Sequence, residues 1–245
     1  RGGRGRRVHN LIFAPDIETV TKINKALGRV GNLKSDGRPI IGIDAEVLLK
    51  LVLDANPRAA LVPAHVWTPW FGIFGSMSGY DSLQECFDEM ETHIFAIETG
   101  LSSDPTMNWR LPFLDHKAII SSSDSHSLIR MGREATIFNT ELSYQGIRAA
   151  LESRDERLVG TVEFFPAEGM YHYDGHRACG IVWSPEETKQ HNALCSKCGR
   201  RVTVGVVLLV TIDVEAVVVR RAGDDRLEDA LRVHPLHRMF RAVAG

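Results

Sequence analysis

The chain has 245 residues, a formal net charge of −2, 44% apolar residues and 24% charged residues. That is a soluble, globular composition, enough for one large α/β domain with an appended module or for two ordinary domains. It excludes nucleic-acid binding through global positive charge and leaves only local patches, of which "RGGRGRRVH" at residues 1–9 is the densest.

In chain order, "VHNLIFAPD" reads as a strand running into a loop, and "DIETVTKINKALGRVG" as an amphipathic helix closed by glycine. "IDAEVLLKLVLDANPRA" has apolar positions at helical spacing, with Pro57 past its end. "AALVPAHVWTP" is a short buried strand ending at His65, "SLQECFDEMET" a helix and "HIFAIETGL" another buried strand. "LPFLDHKAIISSSDSHS" reads as a helix-like turn followed by a strand, and "SYQGIRAALESRD" as an amphipathic helix beginning near Ser143. Strand–helix alternation predicts parallel strands in an α/β barrel or open sheet. Residue types suited to chemistry fall just after the strands: His65, then Glu98 and Thr99, then Asp124 and His126. That is the edge where such folds build their sites.

Alternate side chains of an extended segment share a face, so Asp124 and His126 are expected to grip one cation together. A serine-rich turn with an incidental histidine is the alternative. His9 and His65 complete the candidate metal and catalytic set. Glu98 is placed beside the substrate, as a group orienting a histidine, a ligand, or a strand-end cap. The loop "VWTPWFGIFGSMSGY" offers Trp67, Trp70, Phe71, Phe74 and Tyr80 as stacking faces, with Asn108 and Trp109 lining the same cleft. No Walker or dinucleotide fingerprint is present, and Cys86 in "LQECFDEM" reads as buried packing rather than a nucleophile.

Four cysteines, three of them late, argue for a metal site in a reducing compartment, with the cytoplasm as the expected location. His176-x-x-Cys179 and Cys195-x-x-Cys198-Gly have the separation of a zinc ribbon. His176 or His191 must supply the fourth ligand, and His176 has the matching spacing. Full coordination makes this zinc structural, and the neighbouring Arg177, Lys197, Arg200 and Arg201 can meet DNA phosphates.

The blocks "PAHVWTPWFGIFGSMSGYDS", "HIFAIETGLSSDPTMNWRL", "SSSDSHS", "GREATIF" and "YHYDGHRACG" together resemble endonuclease Q, a DNA-repair branch of the PHP-superfamily metallohydrolases, from about Val8 to about Gly205. The resemblance implies a distorted (β/α)7 barrel holding a cluster of divalent metals (Zn, Mn, Mg or Fe). It also implies cleavage of DNA on the 5′ side of a deaminated base such as uracil or hypoxanthine. His65, Asp124, His126 and His9 then take metal-ligand positions. The expected layout is a partial barrel over 1–165, a zinc-binding module over 166–210, and a divergent tail over 211–245. Superfamily members carry a His-x-His strand and further ligands ahead of the matched region. This chain, which opens without Met, is therefore expected to be N-terminally incomplete and inactive alone. A PHP-type phosphoesterase acting on a small phosphate ester, or a catalytically inactive DNA-binding module, are the alternatives.

Overall fold

The computed structural model describes residues 5–34 and 39–209. The tail expected over 211–245 and the first residues of the Gly/Arg run lie outside the described residues. The architecture is mixed α/β. In order it comprises β1 (Asn10–Phe13), α1 (Ile17–Leu27), α2 (Ala45–Ala55), β2 (Ala60–Pro63), α3 (Leu83–Phe87), β3 (Ala96–Glu98), α4 (Pro105–Asn108) and β4 (Ala118–Ile120). There follow β5 (Ala135–Phe138), α5 (Tyr144–Ser153), β6 (Leu158–Val162), β7 (Asp174–His176), β8 (Ile181–Trp183) and α6 (Pro185–Gln190).

Local chemistry sets the helix bounds. The Asp16 carboxylate accepts the Thr19 N–H at 2.7 Å and starts α1, whose Ile23 and Leu27 face inward. That bond holds the Asp16 carboxyl below its usual range. The Ser143 hydroxyl accepts the Gly146 N–H to start α5, which ends where Arg154 turns left-handed. Tyr144 Oη then donates its single proton to the Arg58 carbonyl at 2.6 Å, with the Phe13 carbonyl at 3.1 Å, and the Arg148 guanidinium donates to those of Pro57 and Ala59. These bonds fasten α5 to the ends of β1 and β2.

Among the described residues the strands form four pairs, of which β3–β4 alone is parallel; β1–β2, β5–β6 and β7–β8 are antiparallel. Parallel strands throughout, as the alternation predicted, are therefore not found among the described residues. Alternation fixes which elements pack together, but strands this short let a connection return in either direction. Further bonds join the pairs: Val66 N–H to Glu98 O at 3.0 Å links β2 to β3, and the Thr136 hydroxyl bonds both backbone groups of Ser121, linking β4 to β5. Val62, Ala96, Ala118, Ile120 and Leu151 pack as one cluster across these strands and α5.

A larger core gathers Leu49, Leu61, Trp67, Phe74, Phe87, Ile97 and Leu111. Val206 belongs to it with no exposed surface, so the chain re-enters the main core after the cysteine region. Cys86 is buried as expected, which pushes its thiol up to about 12. No helix among the described residues is long and apolar enough to cross a membrane.

Candidate metal centres

Antiparallel pairing of β1 with β2 sets the residue before one strand beside the residue after the other. Asn10 lies opposite Pro63, and Ala64 N–H bonds His9 O at 3.0 Å. His9 Nδ1 and His65 Nε2 thereby come to 2.9 Å. Phe71 stacks on the His9 ring at 4.6 Å and 12°. Thr68 Oγ1 lies 2.6 Å from His65 Nδ1 and 3.0 Å from the His65 and Trp70 carbonyls. The hydroxyl gives its single proton to a carbonyl and accepts from Nδ1–H, which leaves the His65 Nε2 lone pair facing His9.

His65 sits at φ +33°, a costly backbone state for a residue with a Cβ. Two neighbours hold it there. Glu98 Oε2 accepts the His65 N–H at 2.8 Å, and Gly100, at φ +68°, passes so close that a Cβ on it would stand 2.5 Å from the His65 Cβ. Glu98 is 2% exposed. It holds the His65 backbone, the orienting role expected of it, while still lining the same cavity as His65. Burial raises its carboxyl above the usual range against the bonds from Ser122 and the His65 N–H, and Asp124 raises it further.

Asp124 shares with His9, His65, Glu98 and Phe71 the wall of a cavity of about 1620 Å³. His126 is not on that wall. Its Nδ1 lies 2.8 Å from the Asp124 carbonyl and 4.0 Å from the nearer Asp124 carboxylate oxygen. β4 ends at Ile120 and Asp124 turns left-handed at φ +42°, so a turn in an exposed loop, not an extended strand, sets this pair, at a separation that still lets both groups reach one cation. His9 and His65, with Asp124 beside them, are a donor set suited to a borderline divalent cation. Among the described residues these groups do not reach the spacing, all ligand atoms within 4.8 Å, found at the cysteine cluster.

Sequence reasoning missed a buried carboxylate pair behind this wall. Ser121 Oγ lies 3.2 Å from Glu134 Oε2 and 3.3 Å from Glu163 Oε2. A hydroxyl has one proton to give, so both contacts are satisfied only when one carboxyl is protonated. Burial pushes Glu134 up to about 7 and Glu163 up to about 8, each helped by the other or by further carboxylates. Glu163 directly follows β6. The rule that acidic residues cluster past strand ends would have found it.

Both folded values stand above the ordinary carboxylate value. The folded state therefore keeps protons that the unfolded chain releases, and stability falls as pH rises from the ordinary carboxylate range towards about 8. Glu163→Gln should flatten that slope in thermal melts between pH 5 and 9. An unchanged slope would show that the pair does not share a proton.

The aromatic loop divides. Trp67, Phe74 and Asn108 are buried, at 1%, 5% and 0% exposure. Trp67 Nε1–H donates to Asn108 Oδ1 at 2.8 Å, and Trp67 packs on Phe74 at 4.7 Å. These three are core residues, not base-stacking faces, because the loop folds back on its own glycines: a Cβ on Gly75 would sit 2.2 Å from Thr68 O. Trp70 and Trp109 remain exposed, and the half-buried Tyr80 ring lies 4.3 Å under the Arg6 guanidinium.

The late cluster closes tightly. Ligand atoms of His176, Cys179, Cys195 and Cys198 all lie within 4.8 Å of one another, with Cys198 Sγ 3.4 Å from His176 Nδ1. His191 is elsewhere, stacked on Trp183 at 4.4 Å. Cys179 and Cys198 are each followed by a left-handed glycine, Gly180 at φ +64° and Gly199 at φ +69°, giving two knuckles of matching build. Burial pushes the Cys195 thiol up, but the Lys197 and Cys198 N–H groups outweigh it and bring it down to about 6. Cys179, chiefly through Cys198, rises to about 11. This donor set can hold one tetrahedral metal ion and fits zinc.

No protein-family model matches the chain. It is 29% identical over 203 residues to the uncharacterized protein YqxK of Bacillus subtilis (strain 168), covering 81% of this chain and 50% of that one. It is similar to the lesion-specific endonuclease PfuEndoQ from Pyrococcus furiosus, with a TM-score of 0.72 and 25% identity over 84% of this chain and 51% of that one. It is also similar to endonuclease Q in complex with a 27-mer duplex substrate bearing an abasic lesion at the active site, with a TM-score of 0.75, 24% identity, and 84% and 52% coverage. The chain thus spans about half the length of the proteins it matches.

Proposed function

We propose, from the premise that this chain has the fold of endonuclease Q, that it forms part of a metal-dependent DNA endonuclease cutting 5′ to deaminated bases such as uracil or hypoxanthine. The observation that carries the reading is the convergence of His9, His65 and Asp124 on one cavity wall at strand ends. In this reading residues 1–165 belong to a PHP-type barrel and 166–210 to a zinc-bearing module that helps hold DNA.

His9, His65 and Asp124, with His126 from the same loop as Asp124, would hold a divalent cation (Zn, Mn, Mg or Fe), which would supply water activation and charge stabilisation at the scissile phosphate. The rest is done by the chain. Glu98 and Thr68 fix the His65 backbone and tautomer. Exposed Trp70 and Trp109 offer faces to an extruded base or its neighbours. Arg177, Arg200 and Arg201 hold phosphates, while Lys197 is engaged by the Cys179 carbonyl at 2.8 Å. Free cysteines gathered for metal binding suit a reducing compartment, which supports the cytoplasm as the location in this reading.

The test uses the full-length protein and duplexes carrying one deoxyuridine or deoxyinosine. A nick on the 5′ side that requires added Mn2+ or Mg2+ and vanishes in His65→Ala is expected, and the 245-residue chain alone should leave every duplex intact. Equal cutting of undamaged DNA would overturn the reading.

A further inference from the structure

The loop between Asp124 and β5 carries the most exposed run of apolar side chains near the cavity. Leu128 is 87% exposed, Ile129 93% and Met131 66%. They project from a single 3-10 turn, Leu128–Arg130, that Gly132 bends back at φ +74° towards β5. Exposed large side chains at this density mark an interaction surface. The chemistry of the same turn says what covers it. Arg130 stands between Ile129 and Met131, is itself exposed, and makes no ion pair among the described residues. Arg133, five residues after Leu128, spends its Nε–H on the Ser123 carbonyl at 2.8 Å, anchoring the base of the loop. Packing this tip into an apolar protein surface would strand the Arg130 guanidinium without a counter-charge. A DNA duplex accepts both: base planes take aliphatic side chains, and the phosphates beside them take the cation.

The tip also starts only four residues after Asp124, on the cavity wall. An apolar wedge at that point would enter the stack next to a base being drawn into the site.

We propose that Leu128 and Ile129 form a wedge that inserts between base pairs beside the lesion, with Arg130 on the adjacent phosphate. The partner rests on the endonuclease reading above; what is added is the device that opens the duplex. Extruding a base costs unstacking and unpairing, and the wedge fills the space the base leaves.

The experiment uses the full-length protein and its L128S/I129S variant, with duplexes carrying 2-aminopurine next to a deoxyuridine. Binding is followed by anisotropy, unstacking by 2-aminopurine fluorescence, and nicking in parallel. Both substituted side chains are almost fully exposed, so the variant should melt with the parent. The parent should brighten the probe on binding. The variant should bind the paired duplex about tenfold more weakly, without brightening, and should recover parental affinity on a duplex whose lesion sits in a two-nucleotide bulge, where the stack is already open.

Equal weakening on paired and bulged duplexes, a lower melting temperature, or an unchanged variant would each overturn the wedge; the second would assign the tip to protein packing. Probe brightening that depends on Leu128 and Ile129, without any nicking by the parent, would uphold the wedge and sink the endonuclease reading instead.

Discussion

Cys195→Ala is expected to abolish metal binding at the late cluster and to unfold the module around it. The apolar support there is small, with Trp183, Cys195 and Val202 as its buried members. A structural zinc contributes on the order of 10–16 kcal/mol in modules of this kind, far more than three side chains supply by burial. The expected result is loss of bound zinc in metal analysis, and loss of amide-exchange protection across β7, β8 and the Gly175–Thr203 bridge. His176→Ala should do the same. His191→Ala should keep the metal and cost only its stacking on Trp183, about 1 kcal/mol. Zinc retained in His176→Ala and lost in His191→Ala would reverse the ligand assignment.

Gly100→Ala is expected to disable the histidine site while leaving the zinc module loaded. Its φ of +68° costs an alanine about 1–2 kcal/mol, and the new methyl would stand 2.5 Å from the His65 Cβ. His65 has to move, and with it the bonds to Glu98, Thr68 and His9. A displacement near 1 Å at a reacting centre costs about 100-fold in rate. Nicking by the full-length protein should therefore fall by about that factor, with a modest drop in melting temperature and unchanged zinc content. Wild-type nicking by Gly100→Ala would remove His65 from the chemistry.

What the sequence makes legible is what short stretches decide alone. Asp16 and Ser143 announce helix starts because a cap acts within three residues. The two x-x knuckles announce their cluster because each pair of ligands and its glycine close within one turn. Properties set by distant chain are harder to read. Trp67 and Phe74 look the same as Trp70 in the quoted loop, yet Asn108, over forty positions away, decides that Trp67 goes inside. Asp124 and His126 have the alternation of an extended strand, and a left-handed turn undoes it. Glu163 can be suspected from its place after β6, but its partner Glu134, brought to it around Ser121 by distant chain, cannot.

One contact joins the aromatic loop to the segment that follows the cysteine cluster. Ser76, in the loop that carries Trp70, donates its hydroxyl to the Val204 carbonyl at 2.8 Å, and Val206 then plugs into the central core. Loop and ribbon are thus joined by a tether two residues long. A shift of the cysteine cluster against the core would therefore have a direct route, through Ser76, to the segment presenting the Trp70 indole. Under the endonuclease reading, a metal-dependent change at the cysteine cluster should then register in the fluorescence of Trp70 as well.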